Sequence, residues 1–238
     1  MGVRAGGWQA GRVLMPTVIL YLCAAAVVAP GAQLLAAMAA PPGEAGDRSP
    51  RALLRAWRRP VPVVAATLVA LMVALAVVQT VFPDVVGLLE RHPGGEWWRA
   101  LTALLVQSSG WFQLAFNLAA LIAVAPIAER RLGGWQTALV YVVSGVSAQA
   151  VSLAAWSPEG AGNSVAICGL VGALAAHYAL RGPERALRLL ALLIPVAGVV
   201  LCLLTNNHGV GVVVGTLLGA GLTLVWRPAS ASSLPSSA

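Results

Sequence analysis

Seven apolar stretches of roughly membrane length occupy most of this chain, at 13–40, 61–82, 112–128, 135–156, 164–181, 187–204 and 208–226. Inside a bilayer no water is present to hydrogen-bond a peptide group, so a spanning segment must satisfy its backbone internally, as a helix or in a closed barrel. Runs approaching about 20 apolar residues read as helices. Short turns separate them, at Gly133-Gly134, Ser157-Pro158-Glu159-Gly160, Gly182-Pro183 and Asn206-Asn207. The fold class that follows is an all-α membrane protein, with a six-helix bundle over 61–226 and one additional N-terminal transmembrane segment.

The ends and connections are read as follows. Residues 1–40 are an N-terminal hydrophobic segment, interrupted by Pro16, Pro30 and Gly31. A cleaved signal peptide is also apolar, but the length of this run and the five arginines after it (Arg48, Arg51, Arg55, Arg58, Arg59) favour a retained span. Residues 41–60 form an Arg/Pro-rich cytoplasmic linker, and 227–238 a disordered Ser/Ala/Pro tail. The long connection 83–111 is too apolar from Ala100 to Val106 for a solvated loop, which points to an interfacial or partly inserted one.

Charge orients the bundle. Hydrophobic residues make up 59% of the chain and charged ones 10%, and the net charge is +7. All the basic residues are arginine and they sit in short loops, without the clustering among aromatics that nucleic-acid binding requires. Arg130 and Arg131, the group Arg181, Arg185 and Arg188, and Arg227 mark one side, whereas 157–163 and 205–207 contain no arginine. The positive-inside rule makes the first set cytoplasmic and the second external. Trp97, Trp98, Trp111 and Trp156 then mark the outer interface, and Trp57, Trp135 and Trp226 the inner one. The absence of lysine and the abundance of Ala, Gly, Val and Arg point to a high-GC bacterial genome, so the expected setting is a multi-pass protein of a bacterial plasma membrane, with the lipid bilayer as partner. Cys23, Cys168 and Cys202 all lie in apolar runs, so no disulfide, metal site or cofactor is expected.

Chemistry concentrates near the external face. His208 opens the last apolar helix, and Gly211, Gly215 and Gly219 follow it on the same face at about 3.6 residues per turn. Such a stripe of small residues lets another helix approach closely. Ser164 opens the next-but-one helix before it, so in an up-down bundle the two starts share a membrane face. A serine and a histidine at equal depth on touching helices form a nucleophile–base dyad. Gln113 and Asn117 share a face of the helix 112–128, with Ser108 just before it, and amide donors there suit an oxyanion. Taken singly, Ser164 reads as a helix N-cap, Gln113 and Asn117 as interhelical hydrogen-bonders, and Trp98-Arg99 as an interface anchor. Their combination favours catalysis. His92 reads as a solvated loop residue, and His177 lies toward the cytoplasmic end, away from the dyad.

On these residues the chain resembles the rhomboid family of intramembrane serine proteases. The matching pieces are Glu96-Trp97-Trp98-Arg99, the helix of Asn117, Glu129-Arg130-Arg131-Leu132-Gly133, Gly162-Asn163-Ser164 with Gly169 and Gly172, and His208 with Gly211, Gly215 and Gly219. They stand in family order across 61–226. The resemblance implies a nucleophile at Ser164, its base at His208, an oxyanion donor at Asn117, and a first loop ordered by Trp98-Arg99. It also implies substrates that are transmembrane proteins, cut near the outer membrane face where a helix is weak. Gln113, Val165 and Cys168 stand where the family often has histidine, glycine and an aromatic residue. They favour an alternative, a non-catalytic rhomboid-like protein that binds membrane-helix clients. A small transporter is the third possibility, but it calls for inverted repeats and a midplane polar site, neither of which is seen. The oligomeric state is not encoded in any of these features.

Overall fold

The computed structural model describes residues 6–39, 50–58 and 60–225, with side chains from 18–39, 53–58 and 60–225. The tail from Trp226 onward, Arg227 included, and Arg48 and Arg59 of the linker lie outside the described residues.

In chain order the helices are α1 (Gly6–Ala39), α2 (Pro50–Arg55), α3 (Val63–Val81), α4 (Asp84–Leu89), α5 (Arg99–Thr102), α6 (Gly110–Leu132), α7 (Gly134–Val151), α8 (Ser164–Arg181), α9 (Arg185–Ala191), α10 (Leu193–Leu203) and α11 (Asn207–Val225). One π-helical turn, Ser152–Trp156, continues α7. Among the described residues there is no strand, and seven helical segments are long and apolar enough to cross a membrane. The protein is therefore an all-α, multi-pass membrane bundle with six spans and one more ahead of them, the number that the family resemblance implies.

Several boundaries differ from the sequence expectation. Pro16, Pro30 and Gly31 do not interrupt α1, which runs through all three. A proline costs one backbone bond, but within a membrane helix neighbours re-satisfy the freed group. Conversely, the expected span 187–204 is present as Arg185–Leu203 but has a break within it, where α9 and α10 meet at Leu192. Pro195 has no N–H for the carbonyl of Ala191, four residues earlier, so the ladder breaks there. The run 112–128 extends at both ends, and Glu129-Arg130-Arg131 rides in the last turn of α6 rather than in a loop. Basic side chains are favoured there by the negative end of the helix dipole. The connection 83–111 carries two short helices, α4 and α5, and buries Ala103 and Val106, which fits a partly inserted segment.

Burial separates the helices. α8 is the most enclosed of the seven spans and α3 the least. α11 packs most extensively on α8, then on α7 and α10, while α1 lies against α10 and α8. The glycine stripe makes the α8–α11 approach possible. A Cβ on Gly211 would overlap the carbonyl of Val165, one on Gly215 the carbonyl of Gly169, and one on Gly219 the backbone of Ala173. α8 reciprocates, since a Cβ on Gly172 would strike the carbonyl of Val212. Backbone thus touches backbone along the whole seam, where dispersion contacts are densest.

The helix ends opposite Ser164 and His208 are tied by the Glu129-Arg130-Arg131 run, each residue serving a different element. Glu129 Oε2 accepts the Ala65 N–H at 2.7 Å, in the first turn of α3, where orphan donors and the dipole favour a carboxylate. Arg130 donates to the carbonyls of Ala56, Arg58 and Pro60 at 2.8, 2.6 and 3.1 Å. Arg131 donates to the carbonyl of Met38, in the last turn of α1.

Candidate active site

Ser164 is the first residue of α8, and His208 is the second of α11. Because the glycine seam brings these helices together at this end, Ser164 Oγ lies 2.9 Å from His208 Nε2. That is hydrogen-bond distance, and it suits proton transfer from hydroxyl to imidazole. The backbone N–H groups at the start of α8 have no carbonyl partner within the helix and bring the positive end of its dipole to the hydroxyl.

The chain before Ser164 is held from several directions. Gly162 has φ +152°, a conformation open to glycine, and a Cβ there would overlap the Gln113 amide. Its N–H donates to the carbonyl of Ala103 at 2.8 Å, and its own carbonyl accepts from Gln149 Nε2 at 2.8 Å. Ala161 is gripped by Ser108, whose Oγ accepts its N–H at 2.9 Å and lies 3.1 Å from its carbonyl. Gln113 Nε2 donates to that same carbonyl at 3.0 Å, while Gln113 Oε1 accepts the Ser109 N–H at 2.8 Å. Gln113 therefore holds the loop before Ser164 with one of its two N–H groups.

Asn117 is buried, and its Nδ2 donates to Gln107 Oε1 at 2.8 Å. From there a chain of side chains reaches the residue beside the candidate nucleophile. Gln107 Nε2 donates to Asn163 Oδ1 at 3.1 Å, and Asn163 Nδ2 to Tyr141 Oη at 2.9 Å. Buried amides are costly unless paired, and this network pairs them in series. Asn117 is thus linked to Ser164 through Gln107 and Asn163 rather than by direct contact.

Trp98 and Arg99 lie in the connection between α4 and α6. The Arg99 guanidinium sits over the Trp98 ring, 4.7 Å from its centroid, and donates to the carbonyls of Leu88 and Glu90 at 2.7 and 2.9 Å. Its Nε also donates to Glu96 at 2.8 Å. A further clamp, Arg91, is buried and donates to the carbonyls of Ser157 and Glu159, tying this connection to the loop before α8. Arg99→Ala strips the end of α4 of its donors, a loss of ~1–3 kcal/mol for that subdomain. Limited proteolysis in detergent is expected to cut 83–111 faster in this variant, with the transmembrane fragments intact. The bond to Arg99 holds the exposed Glu96 carboxyl below its usual range. A carboxyl lowered on folding adds stability above its unfolded pKa and loses it as pH falls through the folded value. This contribution is small because the pair is solvated.

Several residues that shape the site had no role assigned to them from the sequence: Asn206, Gln107, Asn163, Gln149 and Arg91. Asn206 appeared only as a turn residue. It immediately precedes α11, and its Oδ1 accepts the His208 backbone N–H at 3.0 Å and lies 2.9 Å from His208 Nδ1. An asparagine two residues before a histidine at a helix start is an N-cap signal, and that was the available clue. Gln107 and Gln149 were visible as amides within apolar runs.

The opposite end holds a different arrangement. His177 Nδ1 is 3.1 Å from Thr223 Oγ1, and a cavity of about 250 Å³ lies there, lined by Arg130, Arg131, Arg181 and His177 among others. Its arginines donate to carbonyls of Ala56, Met38 and Thr223, so it is part of the tie between helices at that end.

The family model described as the Rhomboid domain matches residues 94–226, more than half of the chain. A curated relative, "Rhomboid protease GluP" of Bacillus subtilis (strain 168), is 39% identical over 80 residues, which is 34% of this chain and 16% of that protein. The aligned stretch therefore spans about a sixth of that relative's length.

Proposed function

Because the chain belongs to the rhomboid family, we propose that it is an intramembrane serine endopeptidase acting through a Ser164–His208 dyad on transmembrane proteins. The observation that carries this reading is the 2.9 Å approach of Ser164 Oγ to His208 Nε2, across two helices that only glycines allow to touch. The similarity to a protein named as a rhomboid protease supports it.

In the proposed mechanism His208 Nε2 takes the hydroxyl proton as Ser164 Oγ attacks a peptide carbonyl. The tetrahedral oxyanion is met by N–H donors: the Ser164 backbone N–H at the start of α8, and the second N–H of Asn117 Nδ2 and of Gln113 Nε2. His208 then gives its proton to the leaving amine, and an acyl-enzyme remains on Ser164. Water, deprotonated by His208, releases it. A helical substrate must unwind first, because its carbonyls are already bonded within the helix. The arginine distribution supports a site toward the external face of the membrane, which we take to be a bacterial plasma membrane, and cleavage is proposed near that face. Trp98, Arg99 and Gly162 act by holding the surrounding loops, and Gly211 and Gly215 by admitting α8.

Val165 and Cys168 favour a second reading, a rhomboid-like protein that binds membrane helices without cutting them. A fluorophosphonate probe separates the two. Labelling of the wild type that vanishes in Ser164→Ala is expected. An unlabelled wild type that still retains membrane-helix clients on co-purification supports the binder instead.

A further inference from the structure

We propose that Asn206 is a positioning residue that locks His208 in the one neutral tautomer able to take a proton from Ser164. This rests on the protease reading above and adds a third side chain to it.

The argument turns on a single oxygen. Asn206 Oδ1 lies 3.0 Å from the backbone nitrogen of His208 and 2.9 Å from its Nδ1. A backbone N–H can only donate, so the amide atom facing it must be the acceptor oxygen and not the NH₂ group. That same atom faces Nδ1. An oxygen there has no hydrogen to give, so Nδ1 must carry the ring proton and donate it. In a neutral imidazole the other nitrogen is then bare. The bare nitrogen is Nε2, and it is the one 2.9 Å from Ser164 Oγ. The helix cap therefore decides the tautomer: one acceptor serves the first turn of α11 and the ring above it.

Asn206 is itself held. Its N–H donates to the carbonyl of Leu201 at 2.9 Å, and its carbonyl accepts the Gly209 N–H at 3.0 Å. The residue before it, Thr205, sits at φ +55°, which is uncommon for a β-branched side chain. Such conformations persist where the surroundings dictate them, and they gather at functional sites. Here the tight reversal between α10 and α11 aims the amide at the ring. A neutral amide can orient an imidazole without adding a charge, so its contribution is geometric.

The test uses the full-length protein in nanodiscs. Asn206→Ala is expected to lower kcat by roughly 10- to 100-fold with KM unchanged, as a misoriented base would. Asn206→Asp, whose carboxylate accepts the same two bonds, is expected to restore most of the rate. In ¹⁵N spectra of the imidazoles, His208 is expected as the Nδ1–H tautomer in the wild type and as a mixture in Asn206→Ala. The chain has three histidines, so a His208→Gln sample assigns the signal. An active wild type beside an undiminished Asn206→Ala overturns this inference and leaves the protease reading standing. So does a His208 tautomer that is Nε2–H in the wild type or unmoved in Asn206→Ala. A wild type that neither cleaves nor takes the fluorophosphonate overturns the protease reading, and any catalytic use of the tautomer with it.

Discussion

Ser164→Ala is expected to lower cleavage of a transmembrane substrate in proteoliposomes by roughly 10³- to 10⁶-fold, and His208→Ala by a similar factor. The size follows from what each removes. In the proposed mechanism no acyl-enzyme can form without the hydroxyl. Without Nε2, 2.9 Å away, the hydroxyl keeps its proton and is a poor nucleophile. Groups that act as one unit lose their effect together, so the double variant is expected to be no slower than the worse single one. Neither side chain fills the core, since Ser164 and His208 are only partly buried. Both variants are therefore expected to purify as folded protein with the melting temperature of the wild type within a few degrees. The measurement is the initial rate against enzyme concentration, for wild type and the three variants side by side. A Ser164→Ala protein that still cuts at more than a tenth of the wild-type rate ends the dyad assignment.

Gly215→Val is expected to be the most damaging change away from the site, costing about 3 kcal/mol or more, at the upper end of what overpacking does. A Cβ at Gly215 would overlap the carbonyl, carbon and Cα of Gly169, all backbone atoms on α8. A flexible side chain could rotate aside, but backbone cannot, so the two helices must separate. Separation at Gly215 also moves His208 from Ser164, because both start the same two helices. Thermal unfolding in detergent should fall by several degrees, and any folded fraction should lose probe labelling. By contrast Gly221, where a Cβ would meet nothing within 4 Å, is expected to accept alanine with little change in either measure. Equal tolerance at 215 and 221 would contradict the close-approach account of the seam.

Legibility differed by feature. The helices could be located because each spans a membrane and has to be apolar throughout, which leaves a signal in composition alone. Their ends were less clear: the last turn of α6 carries Glu129, Arg130 and Arg131, polar residues that a hydropathy pattern assigns to a loop. The break at Leu192 was encoded by Pro195, yet Pro30 sits within an unbroken helix, so a proline by itself does not decide. For the site, Ser164, His208 and the glycines carried a pattern along single helices. Gln107, Asn163 and Asn206 did not, since an amide has no periodicity and its role depends on which neighbour it meets.

Hydropathy along the chain was enough for the helical membrane class, the number of apolar spans and the gathering of polar chemistry at one end of the bundle. Hydropathy and arginine placement act locally and need no knowledge of packing. It took helix packing to bring Ser164 Oγ to His208 Nε2, Asn117 through Gln107 to Asn163 beside Ser164, and one oxygen of Asn206 to both the backbone nitrogen and Nδ1 of His208. Hydrogen bonds are set by distance and direction to within a few tenths of an ångström. That precision arises when whole helices pack, and no spacing along the chain specifies it.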